Sequence, residues 1–353
     1  LPKQQSDMVK SMLSIYDESG WLPKWELNAT ETTTMVGDPA GIIIADTYLR
    51  GIKDFDVEKA YQAMVKSATQ LEKNTLRPGI KEYITKGYLT TASIKSGSVS
   101  TTQEYNISDF AIAQLAEVLG KKEEERKYRE RSISYRSLFD KEFNLLRPKN
   151  KDNKWITPFK PENGSNFQKN LGFIEGNSWQ YTFMVTHDVK GLMKLMGGQK
   201  AYNKKLQRVF DTGQFDMANE PDIGYPFLFN YIAGQEWRAQ KTVLELIRKY
   251  FKNTPDGLPG NDDTGTMSAW LVFSMMGIYP ISPAAPMYTI TSPVFDKITI
   301  QLDSRYYKNK QLVIEKEGHG RINKIQINGK TKKSYFISHQ ALVNGNNLKI
   351  KSK

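Results

Sequence analysis

Apolar residues recur at helical spacing through about the first 278 positions of the chain and then give way to short alternating runs. Glycine and proline separate the helical stretches, as expected where helices end. The first part of the chain is therefore predicted to be mainly helical. The spacing predicts helices at roughly 4–18, 39–52, 56–72, 106–119, 122–139, 177–196, 199–211, 223–233, 235–251 and 264–277.

The pattern changes after the segment PISPAAP at 280–286. Runs such as KITIQL, QLVIE, KIQING and NLKIK alternate apolar and polar residues between glycine-containing turns, which is typical of β-strands. We therefore predict a helical domain over residues 1–287 and a small C-terminal β-domain over residues 288–353.

Composition and charge narrow the possible functions. The 353 residues include no cysteine, which excludes disulfides, thiolate nucleophiles and zinc–thiolate sites. The net charge is +12, but 13 Lys and Arg against 4 Asp and Glu in residues 288–353 account for +9 of it. This segment has no recognition-helix pattern and no RNA-binding motif, so a solvated basic face is favoured over a nucleic-acid site.

The sequence shows neither the pattern of a membrane span nor that of a signal peptide. No uninterrupted apolar run approaches the ~20 residues of a membrane span. The first residues, LPKQQSDMVKSML, have neither an initiator Met nor a signal-peptide pattern and lead straight into a helical stretch. We interpret the chain as the inner part of a longer protein.

The stretch PGNDDTGTMSAW at 259–270 places Asp262 beside Asp263 just before an apolar helix. Helix capping explains one such carboxylate, because it accepts backbone N–H bonds and complements the helix dipole. Two adjacent carboxylates repel each other, so a chemical role is an equal alternative. A calcium-binding helix-loop-helix motif is excluded, because the twelfth residue from Asp262 is Phe273 where a bidentate Glu is required.

Two other acidic motifs precede apolar helices. IEGNSWQY at 174–181 contains Glu175, for which helix capping is again the alternative to chemistry. ANEPDIGYPFLFNY at 218–231 groups Asn219, Glu220 and Asp222. These are oxygen donors of the kind that hard cations such as calcium bind.

Long polar connections carry several aromatic residues, although core packing is the alternative for each of them. Two connections, Leu76–Gln103 and Arg147–Gly176, are predicted to be irregular, and long loops of this kind often carry function. Trp residues beside carboxylates and amides suit a sugar, since C–H faces stack on rings while hydroxyls bind polar groups. The residues of interest are Trp21, Trp25, Glu31, Glu104, Trp155 and Glu175.

Other catalytic classes lack support. There is no GxxxxGK[ST], no strand followed by GxGxxG, and no GxSxG. His187 and Asp188 could form a dyad, but a structural pair is favoured. The remaining possibility is catalysis by carboxylates, with Glu175 and the Asp262/Asp263 pair predicted to meet in one cleft. Two facing carboxyl groups are the requirement for glycoside hydrolysis.

Five motifs in order closely resemble glycoside hydrolase family 92, and the resemblance runs essentially end to end. They are GWLPKWELNATETTTMVGDPAGIIIADTYLRGIKDFD (20–56), SVSTTQEYNISDFAIAQLAEVLG (98–120), EGNSWQYTFMVTHDVKGLMKLMGG (175–198), NEPDIGYPFLFNY (219–231) and PGNDDTGTMSAWLVFSMMGIYPISP (259–283). The resemblance implies a calcium-dependent exo-α-mannosidase that inverts the anomeric carbon. It also implies an (α/α)6 toroid of twelve helices, preceded by a β-sandwich domain. With ten predicted helices, we expect the sandwich and the first toroid helices to be absent from this sequence and either supplied by another chain or removed.

The resemblance also assigns roles to residues. It implies that Glu175 is the general acid and that Asp263, with Asp262 as competitor, is the base. Best candidates for the calcium ligands are Gln180, Asn219 and Glu220, and the aromatic candidates for the sugar site are Trp21, Trp25 and Trp179, with Glu31 beside them. The family favours a periplasmic, cell-surface or secreted protein that acts on mannose-containing glycans. A non-catalytic glycan-binding toroid and another toroid glycosidase are the alternatives.

Overall fold

The computed structural model describes residues 1–165, 168, 170–345 and 347–353, which form two compact units. The first unit contains Leu1–Ala201 with Pro283–Ala285, and the second contains Tyr202–Ser282 with Pro286–Lys353. This division differs from the predicted boundary at 287/288, which follows the change in secondary structure and stays a prediction. Among the helices described, none is long and apolar enough to cross a membrane.

The first unit is built mainly from helices, with two short hairpins. Its helices are α1 (Pro2–Ser19), α2 (Pro39–Leu49), α3 (Val57–Thr69), α4 (Ile80–Lys86), α5 (Ser98–Val118), α6 (Lys122–Arg131), α7 (Ser178–Thr182) and α8 (Val189–Leu195), with a 3-10 helix at Ser134–Leu138. The hairpins pair β1 (Glu26–Leu27) with β2 (Thr30–Glu31) and β3 (Phe139–Asp140) with β4 (Leu145–Leu146). Helix α9 (Gln199–Asp211) runs from this unit into the second.

Helix α5 is the central element of the first unit. It packs against α2, α3 and α6 and is buried along most of its length. The C-terminal half of α5 joins the main core, in which Ile44, Met64 and Leu115 are shielded from solvent. Burial on nearly every side explains why α5 lacks the one-sided apolar pattern of a surface helix.

An ionic network fixes α5 to its neighbours. The Asp109 carboxylate accepts hydrogen bonds from Arg77 (2.7 Å), Tyr83 (2.8 Å) and Arg131 (2.7 Å), and Arg77 also donates to Asp38 at 2.8 Å. Burial raises the pKa of Asp109, but the charges of Arg131 and Arg77 outweigh burial and hold the pKa below its ordinary value. Each buried charge therefore has a partner, as burial of ions requires.

The second unit combines helices with two sheets. Its helical elements are a 3-10 helix at Tyr225–Tyr231, α10 (Glu236–Tyr250), α11 (Thr266–Met276) and α12 (His339–Gly345). A three-stranded sheet has the order β11–β6–β5, and a five-stranded sheet has the order β10–β9–β12–β8–β7. Only β12 and β8 pair in parallel among the described strands. The strands are β5 (Ile278–Tyr279), β6 (Met287–Ile290), β7 (Lys297–Gln301), β8 (Gln311–Glu317), β9 (Ile322–Ile327), β10 (Lys330–Lys332), β11 (Phe336–Ser338) and β12 (Asn347–Ser352).

Several predicted helices differ from the observed ones. Helix α5 begins at Ser98 and not near 106, and the helix predicted at 177–196 is divided into α7 and α8. The predicted helix at 223–233 is a 3-10 helix, and α4 lies inside a connection predicted to be irregular. The predicted limits of α9 agree with the structure, and the change to strands near residue 287 is also observed.

Candidate active site

Glu175 lies two residues before the N-cap of α7. Asn177 is that cap: its side chain accepts the backbone N–H groups of Trp179 (2.9 Å) and Gln180 (3.2 Å). Glu175 is therefore not the N-cap residue, which was the alternative left open by the sequence. Glu175 is half-buried and has a φ of 50°, a left-handed conformation that is uncommon for Glu. Such strain is often found at functional sites.

Gln180 and Trp179, two other predicted site residues, also belong to α7. The Oε1 of Gln180 accepts the backbone N–H of Asn177 at 3.0 Å, which completes a capping box. An amide oxygen has two acceptor positions, so one remains on Gln180 for a cation. Trp179 is 8% exposed, and packing accounts for most of its surface.

The segment that carries Glu175 lies against the N-terminal half of α5. The backbone N–H of Ile174 donates to the Ser100 hydroxyl at 3.1 Å, and Gln103 Nε2 donates to the Tyr181 carbonyl at 2.7 Å. The Tyr181 hydroxyl donates back to the Ile174 carbonyl at 2.6 Å. These bonds fix the backbone on both sides of Glu175, so its position depends on α5.

The β1–β2 hairpin presents Trp25, which is 47% exposed. Asn28 and Ala29 form its two-residue turn with φ values of 51° and 59°, as a type I′ hairpin turn requires. Trp21 is half-buried, and Lys66 Nζ lies 4.8 Å from the centre of its ring. Of the two rings, Trp25 has the larger free surface for stacking on a sugar.

The Glu31 carboxylate organises this hairpin. It accepts backbone N–H groups of Lys24 (2.6 Å), Trp25 (3.0 Å) and Thr33 (2.6 Å). Burial raises the pKa of Glu31, but the N–H bonds from Lys24, Thr33 and Trp25 outweigh it, so that the pKa lies below its usual value. Glu31 thus positions Trp25, a contact that the sequence did not reveal.

In the second unit, Asp262 and Asp263 differ in their surroundings. Asp262 Oδ1 accepts the backbone N–H of Ser268 at 2.8 Å, in the first turn of α11. Asp263 is exposed, and its carboxylate makes no hydrogen bond or ion pair within the described parts of the chain. Asp263, Thr264 and Gly265 are consecutive residues with φ values of 47°, 56° and 91°. This turn directs the chain from the acidic pair into α11.

The segment that carries Asn219 and Glu220 lies next to the acidic loop. A Cβ added to Gly260 would come within 2.9 Å of the Ala218 Cβ, so the two backbones approach closely. The Trp270 indole N–H donates to the Ile223 carbonyl at 2.8 Å and forms a second link. Asn219 is buried and Glu220 is exposed. Two predicted calcium ligands and the predicted base are therefore on neighbouring segments.

The predicted site residues are divided between the two units. Trp21, Trp25, Glu31, Glu175, Trp179 and Gln180 belong to the first unit, and Asn219, Glu220, Asp262 and Asp263 belong to the second. Their convergence on one cleft stays a prediction. Within the described residues, no group of three or more His, Cys, Asp or Glu could hold a metal ion.

His187 and Asp188 contact backbone groups and neighbouring side chains of the fold. His187 Nε2 lies 2.8 Å from the Ser132 carbonyl, whereas Asp188 caps α8 by accepting the Gly191 N–H at 3.1 Å. Asp188 also accepts hydrogen bonds from Tyr135 (2.9 Å) and Arg136 (2.6 Å). The favoured interpretation as a structural pair agrees with these contacts.

Comparison with known proteins identifies relatives along the whole chain. The model of the "Glycosyl hydrolase family 92 catalytic domain" matches residues 1–352. An uncharacterised secreted glycosidase of Arthroderma benhamiae is 28% identical over 380 residues, covering 98% of this chain and 48% of that protein.

Solved structures give the same result. A family GH92 α-mannosidase from Bacteroides thetaiotaomicron, in complex with mannoimidazole, has a TM-score of 0.92 and 30% identity, covering 100% of this chain and 48% of its own. A family GH92 inverting mannosidase from Bacteroides thetaiotaomicron VPI-5482 has a TM-score of 0.88 and 27% identity, covering 99% and 50%. The predicted fold class, an (α/α)6 toroid followed by a small β-domain, is confirmed. The chain spans about half the length of these relatives.

Proposed function

Because the chain belongs to glycosyl hydrolase family 92, we propose that it takes part in removing terminal α-linked mannose from glycans, with inversion at the anomeric carbon and with a bound calcium ion. The observation that carries this proposal is the structural similarity, at a TM-score of 0.92 over the whole chain, to an α-mannosidase in complex with mannoimidazole. At 30% identity the similarity supports common chemistry, whereas the linkage that is cut is left open.

Glu175 is proposed to be the general acid. Protonation of the glycosidic oxygen requires a carboxylic acid held at one position beside the bond. Hydrogen bonds on either side of Glu175, from Ile174 to Ser100 and from Gln103 to Tyr181, hold its backbone in place. The N-cap of α7 is Asn177, so the Glu175 carboxylate is not needed as a cap. These contacts support an acid whose position is fixed.

Asp263 is proposed to be the base that accepts a proton from the attacking water. A base needs an unused carboxylate oxygen, and the exposed Asp263 side chain supplies one. Asp262 has one oxygen bound to the first turn of α11, so it is proposed to orient its neighbour and to cap the helix. Of the two residues, Asp263 is therefore proposed as the base.

Asn219, Glu220 and Gln180 are proposed to supply protein oxygens to the calcium ion. Their donor chemistry fits, since calcium takes carboxylate and amide oxygens together with water. Glu220 is exposed, and Gln180 retains an acceptor position on Oε1 after its bond to Asn177. When bound, calcium would supply Lewis-acid binding of the cis O2 and O3 hydroxyls of mannose.

Other parts of a family 92 protein are proposed to complete the catalytic domain. A β-sandwich segment and the remaining toroid helices, in the same or another chain, would cover apolar side chains that are open here. Val272 on α11 is 55% exposed and Phe295 is 52% exposed, which supports such a cover. Activity of residues 1–353 should then require these parts, and addition of them in trans would measure that requirement.

The function is tested by incubating the intact protein with α-linked mannobioses and following the products by proton NMR. Release of mannose that first appears as the β-anomer would support an inverting α-mannosidase. Binding of the same disaccharides without release would instead identify a glycan-binding protein. Release of a different sugar from a matched panel of α-glucosides would point to another glycosidase.

A further inference from the structure

Glu104 differs from its neighbours on α5. Residues Ser98–Gln103 and Tyr105–Asp109 are all buried, whereas Glu104 is only half-buried. Facing it is Gly37, whose φ of +94° favours glycine and whose added Cβ would lie 2.8 Å from Glu104 Oε2. A side chain at position 37 would therefore occupy the space beside this carboxylate.

Lys24, in the sequence Trp21–Trp25, is close enough to Glu104 for that negative charge to act on its ammonium group. Its Nζ donates to the Leu76 carbonyl at 3.2 Å and makes no other hydrogen bond within the described residues. An ammonium has three donors, so two are left for water or a ligand. Burial lowers the pKa of Lys24, while the charges of Asp38, Glu31 and Glu104 oppose that shift.

Asp38 provides an independent indication of an unfilled polar position. It is 2% exposed, and its Oδ2 accepts hydrogen bonds from Ser67 and Arg77. Its Oδ1 is shielded from solvent and has no hydrogen-bond partner among the described residues. Buried carboxylate oxygens are normally satisfied, so Asp38 Oδ1, on a residue whose charge acts on Lys24, can accept one more hydrogen bond.

We propose that Lys24 and Glu104 bind neighbouring hydroxyl groups of one neutral sugar ring. The ammonium of Lys24 donates to one hydroxyl oxygen, and the Glu104 carboxylate accepts the O–H of the next, while the exposed ring of Trp25 offers an apolar face to the sugar. The carboxylates of Glu31, Asp38 and Glu104 act on Lys24 together with one further cation, Arg77, so these five groups carry three negative and two positive charges, a net charge of −1. An anionic group such as a phosphate would therefore be repelled.

This inference rests on the proposed function and adds specificity to the same site. The segment of Glu175 contacts α5 at Ser100 and Gln103, which lie four residues and one residue before Glu104. Lys24 and Glu104 thereby become specificity-determining residues that select a neutral sugar over a phosphorylated one. Glu104 was noted from the sequence, whereas Lys24 was missed although it lies between two Trp residues.

The test uses Lys24→Met and Glu104→Gln in the intact protein. Calorimetry with methyl α-mannopyranoside should show affinity reduced about 10- to 100-fold in each, the range for a lost bond to a charged group. Methyl α-mannosides that lack single hydroxyls at C3, C4 or C6 should then be compared. The deoxy sugar that lacks the hydroxyl bound by Lys24 should bind wild type weakly, and Lys24→Met should not reduce its affinity any further. The ratio of the affinities for the complete and the deoxy sugar does not depend on the fraction of protein that is folded.

Matched controls are Lys81→Met and Glu123→Gln, which change exposed residues on α4 and α6 and should bind as wild type does. Mannose 6-phosphate should bind wild type more weakly than mannose does, and Glu104→Gln should reduce the difference. Unchanged affinity in both variants, or equal losses for every deoxy sugar, would overturn the inference. If wild type binds methyl α-mannopyranoside but releases no mannose, the proposed activity fails while the binding test still stands.

Discussion

The Asp262 side chain accepts the backbone N–H of Ser268 at 2.8 Å, which ties one of two adjacent carboxylates to the first turn of α11. Its neighbour Asp263 is exposed and has no such bond within the described residues. Adjacent acids can therefore serve different purposes, one structural and one chemical. This difference can be measured because the two roles respond differently to substitution.

We expect Asp263→Asn to lower turnover about 10²- to 10⁴-fold, the usual effect of losing a positioned proton acceptor, with little change in stability. Asp262→Ala should instead lower the free energy of unfolding by about 0.5–1.5 kcal/mol, because its hydrogen bond to the Ser268 N–H in the first turn of α11 is lost. Turnover and urea unfolding of both variants are the measurements. If Asp262→Ala lost turnover while Asp263→Asn retained it, the two assignments would have to be exchanged.

Glu175→Gln should impair substrates with poor leaving groups far more than activated aryl α-mannosides. An activated aryl group hardly needs a proton to depart, whereas a sugar alkoxide does. The ratio of kcat/KM for mannobiose and for a nitrophenyl mannoside measures this effect. Equal losses on both substrates would exclude Glu175 as the acid.

Glu220→Gln should weaken calcium binding, because an amide replaces a charged ligand. Calcium titration by calorimetry measures this change without reference to activity. Glu123→Gln, an exposed change on α6, is the control and should bind calcium as wild type does.

Removal of calcium with a chelator should abolish mannose release, and re-addition should restore it. Activity that survives chelation would contradict the role of the ion.

The hairpin that presents Trp25 should loosen in acid. The pKa of Glu31 is lower in the folded protein than the ordinary value of about 4.3. Its contribution is therefore fully present above that pH and is lost as pH falls through the folded pKa. Hydrogen exchange of the Trp25 and Thr33 amides across this range is the measurement. Glu31→Gln should show the loosened state at neutral pH, and unchanged protection in that variant would speak against this role.

Overall stability should fall in mild acid through His187. Burial lowers the pKa of His187, and its Nδ1 is shielded without a hydrogen-bond partner in the described structure. The unfolded chain then binds a proton at higher pH, so stability is lost as pH falls below about 6.5. His187→Gln should flatten this dependence of Tm on pH, whereas His319→Gln, in an exposed turn, should leave it unchanged.

Helix content was more predictable from the sequence than the helix limits. Helix α9 has a clear apolar stripe, and its limits were predicted correctly. Helix α5 was predicted eight residues too short, since SVSTTQEY is mostly polar and all of it except the half-buried Glu104 is buried by packing. The predicted helix at 177–196 is divided because Asp188 starts a new helix by capping it, an event that periodicity does not detect.

The site residues were predictable as chemical types, but their contacts were not. Glu31 was singled out as an acidic residue in a polar connection, yet its three backbone bonds depend on how a hairpin folds back on residues 24, 25 and 33. Lys24 lies in the first of the five motifs but was not among the candidate site residues, since its environment is produced by Asp38 and Glu104, which are distant in sequence. Such relationships follow from tertiary structure alone.

The close approach of Gly260 to Ala218 has a consequence for protein engineering. Because no methyl group fits between these backbones, the shape of the loop ending at Asp263 depends on the loop bearing Glu220. A graft that transfers either loop into a homologous scaffold alone would meet a mismatched partner surface. Specificity libraries for this protein should therefore exchange both loops together, with position 260 held as glycine.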